Sequence, residues 1–156
     1  GSASTMRLAH VTAIADAPAA LFASSSASTI DVANSIASFS GGASVFMRVD
    51  GATGSARLAS NCLWGFERLA ELSSPRRTIA SVDELNGAFG SGRAPNRIER
   101  PSDTFRSTVK GLYRLSPASA CAGGGRAVPW AAGTDLFGSP RPTGDGAVVS
   151  IGAEEL

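Results

Sequence analysis

Ser28-Thr29-Ile30-Asp31-Val32-Ala33-Asn34-Ser35-Ile36-Ala37-Ser38-Phe39-Ser40-Gly41-Gly42 is the stretch whose reading decides the fold class. Val32, Ile36 and Phe39 recur at i, i+4 and i+7, which is one face of a helix. Ser28 stands where an N-cap belongs, and Asp31 follows three residues on as the second half of a box-like pair. Gly41-Gly42 supplies the stop. The spacing therefore predicts a helix over 30–39.

Working outward, Ser44 to Val49 is apolar and β-branched and reads as a strand. Asp50-Gly51 is a strong turn signal, with Ser55 to Leu58 as a returning partner. Leu63 to Leu72 reads as the clearest helix, capped by Asn61, with Leu63, Phe66, Leu69 and Ala70 on one face. Upstream, Met6 to Ile14 reads as a strand, Ala17 to Ala23 as a short helical turn and Ser24 to Ser28 as a linker. Downstream, Arg77 to Ala80 is extended, and Ser81-Val82-Asp83-Glu84 is a capping box opening a helix that contains Leu85, Ala88 and Phe89. Gly90-Ser91-Gly92 closes that helix. Ser102 caps a further helix running to Leu115, with Phe105, Val109 and Leu112 as its stripe. From Ser116 on, Gly and Pro dominate, Arg126 to Ala131 can be extended, and Ala147 to Ile151 reads as a terminal strand. No internal repeat emerges from this reading. The expectation is an α+β domain: a small antiparallel sheet covered on one face by about four helices, with Gly/Pro-rich C-terminal loops. Residues 1–5 read as a cloning remnant, 6–115 as the α+β core, and 116–156 as loops and a terminal strand of the same domain.

Composition narrows function mainly by exclusion. Thirteen arginines accompany one lysine, Lys110; there is no glutamine, and Ala, Gly and Ser number 27, 18 and 22 of 156 residues. That pattern points to a GC-rich coding source before it points to chemistry. The longest uncharged run, Val32 to Met47, is shorter than the ~20 apolar residues of a membrane-spanning helix, so the chain is expected to be soluble. Cys62 and Cys121 lack metal-ligand spacing and are either free thiols or one bridge. His10, the only histidine, would have to serve any Ser-His-Asp triad or Cys62-His10 dyad. No metal or cofactor is implied.

Ser107-Thr108-Val109-Lys110 places serine and lysine one helical turn apart. It resembles the S-x-x-K motif of penicillin-binding proteins and serine β-lactamases, which implies Ser107 as nucleophile and Lys110 as base. Arg141-Pro142-Thr143-Gly144 lacks the lysine of that family's K-T-G strand, and no S-x-N element lies between. Leu112-Tyr113-Arg114 resembles the arginine strand of ADP-ribosyltransferases, with Glu154 or Glu155 as the late glutamate; the S-T-S strand of that family is missing. Gly90-Ser91-Gly92-Arg93 and Gly123-Gly124-Gly125-Arg126 are glycine runs ending in arginine, able to hold a phosphate but outside the P-loop pattern.

Residues 76–114 carry eight cations against Asp83, Glu84, Glu99 and Asp103. On a helix, Arg106, Lys110 and Arg114 would form a positive ridge beside Arg93 and Arg97, suited to nucleic acid or another polyanion. Trp130, beside Pro129 in a Gly-rich region, is a candidate contact residue. The reading that follows is a non-catalytic protein–protein interaction or assembly module, such as a virion component, an effector domain or an adaptor. The alternatives are polyanion binding through Arg93, Arg97, Arg106, Lys110 and Arg114, and a serine/lysine hydrolase. The expected partners are a protein or a second copy of the chain.

Overall fold

The computed structural model describes residues 4–15, 20–24, 28–39, 44–51, 55–89, 94–106, 114–144, 147–152 and 154. Three short strands recur in three successive coils. The first coil holds β1 (Ser4–Ala9), β2 (Thr12–Ala15) and β3 (Ala20–Ser24). The second holds β4 (Ser28–Ala33), β5 (Ile36–Phe39) and β6 (Val45–Val49), and the third β7 (Ala56–Ala59), β8 (Cys62–Trp64) and β9 (Arg68–Ser73). Each strand pairs in parallel with its counterpart one coil away, giving the stacks β1-β4-β7, β2-β5-β8 and β3-β6-β9. This is a three-sided parallel β-solenoid. β10 (Arg76–Ile79) folds back antiparallel on β9, the helix α1 (Val82–Phe89) follows, and β11 (Arg97–Ile98) extends the β2-β5-β8 sheet. The one-turn helix α2 (Pro101–Thr104) and a two-stranded ribbon, β12 (Gly125–Arg126) with β13 (Val148–Val149), complete the described elements.

The α+β expectation is therefore wrong. The chain is mostly strand, its three main sheets are largely parallel, and two helices are present among the described residues where about four were expected. The helix expected over 30–39 is β4 and β5 joined by a corner. That over Leu63 to Leu72 is β8 and β9, and that from Ser102 stops at Thr104, because Phe105 is extended at φ −114°, ψ 141°. The Ala17 to Ala23 helix gives way to β3 from Ala20, its first residues lying outside the described set. Ser55 to Leu58 does contain a strand, but it pairs with β4 in parallel and forms no hairpin. The capping box forms as its spacing predicts: Ser81 Oγ accepts from the Glu84 N–H at 3.3 Å and donates to the Glu84 carboxylate at 3.3 Å.

A repeat is present after all. Thr5-Met6-Arg7-Leu8-Ala9-His10, Thr29-Ile30-Asp31-Val32-Ala33-Asn34 and Ser55-Ala56-Arg57-Leu58-Ala59-Ser60 occupy equivalent places in successive coils. Met6, Ile30 and Ala56 share one register row, and Leu8, Val32 and Leu58 another. On the outer face Arg7 and Arg57 flank Asp31 at 3.5 and 4.0 Å. After each strand the chain turns a corner on a left-handed residue: His10 (φ 57°), Asn34 (φ 49°) and Ser60 (φ 54°). A ladder of side chains ties these corners together. The Val11 N–H donates to Ser35 Oγ (3.3 Å), the Ser35 N–H to Asn61 Oδ1 (3.0 Å) and the Asn61 N–H to Asn96 Oδ1 (3.1 Å). The rungs span 24, 26 and 35 residues of sequence, the last enlarged by β10 and α1. Each bond satisfies a backbone donor that the bend removes from the sheet.

The solenoid interior is filled by Ile30, Val32, Ala37, Phe46, Met47, Val49, Leu58, Leu63, Leu69 and Leu72. α1 closes its third-coil end by inserting Leu85 (fully buried) and Phe89. The first-coil end is different: Met6 is 57% and Ile14 40% exposed.

Candidate functional site

The outer face of the β2-β5-β8 sheet is apolar where a solenoid face would ordinarily meet water. Ile36 and Cys62 are buried there under Phe105, Leu115, Cys121 and Ile151. The covering segment is the C-terminal arm, described over 105–106, 114–144 and 147–152. A disulfide between Cys62 and Cys121 joins the arm to the sheet across 59 residues, which settles the cysteine alternatives and removes the Cys62-His10 dyad. The Asn34 side chain grips the arm: Nδ2 donates to the Arg126 carbonyl (2.7 Å), and Oδ1 accepts from the Arg126 N–H (3.2 Å). The Gly152 N–H donates to the Asn34 carbonyl at 2.7 Å. Glycine is required at 152, where φ is +100° and a Cβ would stand 2.6 Å from Ile36 Cδ1. Glu99 anchors the near end of the arm, accepting from Ser119 Oγ (2.5 Å), the Ala120 N–H (2.8 Å) and Thr104 Oγ1 (3.1 Å).

Where the arm crosses the first coil, the two form a partly open cavity of about 320 Å³. Its walls are mainly Ala127, Val128, Pro129, Ala131 and Val149, together with three polar side chains, His10, Arg141 and Thr143. Arg141 is 5% exposed, with Nη2 donating to the Gly152 carbonyl at 3.0 Å. His10 Nδ1 is buried without a hydrogen-bond partner. Burial, reinforced by the positive charge of Arg141, lowers the His10 pKa to about 4; hydrogen bonding to the Ser150 and Gly152 backbone acts weakly in the opposite direction. The ring is therefore neutral at physiological pH.

The residues singled out from sequence fall elsewhere. Arg93, Ser107 and Lys110 lie outside the described residues. Arg106 and Arg114 do not share a helix face: the Arg106 N–H donates to the Arg114 carbonyl (2.8 Å) beside an antiparallel bridge from Phe105 to Leu115. Arg114 pairs with Glu154 at 2.9 Å and stacks 3.6 Å over the Phe137 ring. The Glu154 carboxylate also accepts the Leu115 N–H. The arginine and late glutamate of the ADP-ribosyltransferase resemblance thus meet, but in a contact that fastens the arm. Arg97 donates to the Ala120 carbonyl at 2.6 Å. Trp130 is half-buried, with the Arg7 guanidinium 5.8 Å from its ring centre. The cavity joins His10 and Arg141, which are 131 positions apart and which no motif connects. The available signal was positional: His10 occupies the corner place that Asn34 and Ser60 fill in the next coils. No helix is long and apolar enough to cross a membrane among the described residues. No protein-family model, curated protein or solved structure matches this chain.

Proposed function

We propose that the chain is a non-catalytic assembly module that associates with a second copy of itself through the exposed edge of its first coil. The carrying observation is the asymmetry of the two solenoid ends. α1 seals the third-coil end, whereas the first-coil edge leaves Met6 and Ile14 exposed. An edge strand presents a row of backbone donors and acceptors ready to pair with another strand, and proteins ordinarily blunt such edges with Lys, Pro or inward charges. Here, within the described first-coil residues 4–15 and 20–24, Arg7 is the only charged side chain, and it leans back onto Asp31 in the second coil. Arg7 is thus the one charge of the described edge, and it is partnered by Asp31. With the opposite end capped, head-to-tail stacking is blocked. Two identical edges meeting about a two-fold axis form a closed dimer, the commonest oligomer symmetry.

The test replaces Met6 and Ile14 together by lysine and measures molar mass by light scattering over a concentration series. A dimer in the unaltered protein and a monomer in the folded double variant support the reading. Unchanged mass in the double variant removes the first-coil edge as the interface.

A further inference from the structure

We propose that the arginine-lined pocket over β6, β9 and β10 is a binding site for a small hydroxylated molecule carrying one phosphomonoester group. The pocket has a volume of about 320 Å³ and opens to solvent at the second and third coils. No first-coil residue lines it, so the inference is independent of self-association through the first-coil edge.

Sheet register builds the site. Arg48 in β6 stands opposite Glu71 in β9, and Glu71 stands opposite Thr78 in β10. Two residues further along, Ser73 stands opposite Arg76. Opposed residues, and residues two apart on a strand, share a side of the sheet. The alternate positions, Val49 and Leu72, are buried in the solenoid interior. Arg48, Glu71, Ser73, Arg76 and Thr78 therefore share the opposite, solvent side. The guanidiniums are within reach of a solute: the Arg48 side chain is 50% and that of Arg68 35% exposed.

Three observations give this surface its chemistry. The first is charge. Arg48, Arg68, Arg76 and Arg77 line the pocket against two carboxylates, Asp50 and Glu71. That excess of positive charge matches a phosphomonoester, which carries about −1.5 to −2 at pH 7. The second is positioning. The Glu71 carboxylate accepts from Arg48 Nε and Nη2 at 2.9 and 2.7 Å, and also from Arg68 Nη1. One carboxylate thus holds two guanidiniums side by side, and its single charge cannot neutralise both. Arg76 forms no ion pair among the described residues, and Arg77 meets Glu84 at 3.4 Å in a half-exposed contact of the weak surface kind. The guanidinium fork matches the oxygens of a phosphate group. The third is the polar lining. Ser73 Oγ accepts the Gly51 N–H at 3.0 Å, which leaves its O–H to donate. Thr78 adds a second hydroxyl, and Asp50 accepts hydroxyl hydrogens while repelling a second phosphate. The body of the ligand is therefore hydroxylated, and it carries one phosphate.

The experiment titrates ¹⁵N-labelled full-length protein with ribose 5-phosphate at about 0.15 M salt, where exposed charges more than about 8 Å apart are screened. Ribose, which lacks the phosphate, and inorganic phosphate, which lacks the hydroxylated body, are titrated in parallel. The expected result is a saturable movement of the Ser73, Arg76 and Thr78 backbone amides while those of β1 and the C-terminal arm stay still. Ribose binds at least tenfold and inorganic phosphate at least threefold more weakly. Arg48→Gln and Arg76→Gln each weaken binding at least tenfold while the spectrum elsewhere stays folded. Arg57→Gln removes the same charge from a 75% exposed side chain on β7 and leaves binding unchanged. No saturable movement up to tens of millimolar ribose 5-phosphate overturns the proposal. So does binding of ribose or inorganic phosphate as tight as that of ribose 5-phosphate. Unchanged binding in the folded Arg48→Gln and Arg76→Gln variants also overturns it, as does an equal loss in Arg57→Gln.

Discussion

The side-chain amide of Asn34 binds both backbone polar groups of Arg126, donating to its carbonyl at 2.7 Å and accepting from its N–H at 3.2 Å. A residue at a solenoid corner thereby acts as a short strand edge for a segment 92 residues further on. Gly125 permits the approach, since a Cβ there would come within 2.6 Å of Asn34 Oδ1. Asn34→Gly keeps the left-handed corner but removes both bonds. The arm then loses two hydrogen bonds to a buried partner, and the protein is expected to lose about 1–3 kcal/mol. Urea unfolding measures the loss, and limited proteolysis should cleave first within 120–150.

The disulfide is the second clamp. Replacing Cys62 and Cys121 together by serine frees a 59-residue loop and is expected to cost about 2–4 kcal/mol in thermal or urea unfolding. The loss should concentrate in the arm. Amide exchange should speed up at Gly125, Arg126, Val148 and Val149 while the core strands β5 and β6 stay protected.

His10 gives the stability a pH dependence of definite sign. Its folded pKa of about 4 lies below the ordinary 6.5 because burial and Arg141 disfavour the charged ring. Between these values the unfolded chain holds the proton and the folded chain does not, so falling pH favours unfolding. The His10 contribution is fully present above about 6.5, declines as pH falls toward 4 and changes no further below that. His10→Asn should flatten the unfolding midpoint across this window relative to the unaltered protein. A slope that persists unchanged in the variant assigns the effect to other groups.

α1 is the end-cap of the solenoid, and Leu85 is its fully buried residue. Leu85→Ala removes a large side chain from the core and is expected to cost about 2–5 kcal/mol. Arg57→Ala, on the outer row where the side chain is 75% exposed, should change stability by less than about 1 kcal/mol. Comparing the two by urea denaturation separates core capping from the outer charge row.

Much of this fold was hidden from the sequence for one physical reason. Strands of a solenoid are short, and β4 and β5 are buried through nearly their whole length, so the two-residue alternation that marks a half-exposed strand is absent. The corner at Asn34 then shifts the phase between the two strands. That shift puts Val32, Ile36 and Phe39 at helical spacing by accident of geometry. The same happens where β8 passes into β9 at Gly65, whose φ is +80°. Features that depend on local chemistry were legible: the Ser81 capping box, the strand over 45–49, the extended piece before α1 and the loop-rich C-terminal region. The repeat was present as Thr-Met-Arg-Leu-Ala-His against Thr-Ile-Asp-Val-Ala-Asn. It is masked by coils of unequal length and by β10 and α1, which follow the third coil. The cavity was not legible at all, since only the arm's path brings Arg141 to His10.

The claim that the first-coil edge is an interface is tested most directly by amide hydrogen exchange at two protein concentrations on either side of the association midpoint. Addition of a strand to β1 protects those Ser4–Ala9 amides that do not already face β4. The account predicts slower exchange in β1 and β2 at the higher concentration, with α1 and the arm unchanged. Exchange in β1 that is the same at both concentrations, alongside a demonstrated change in mass, would contradict it and place the interface elsewhere.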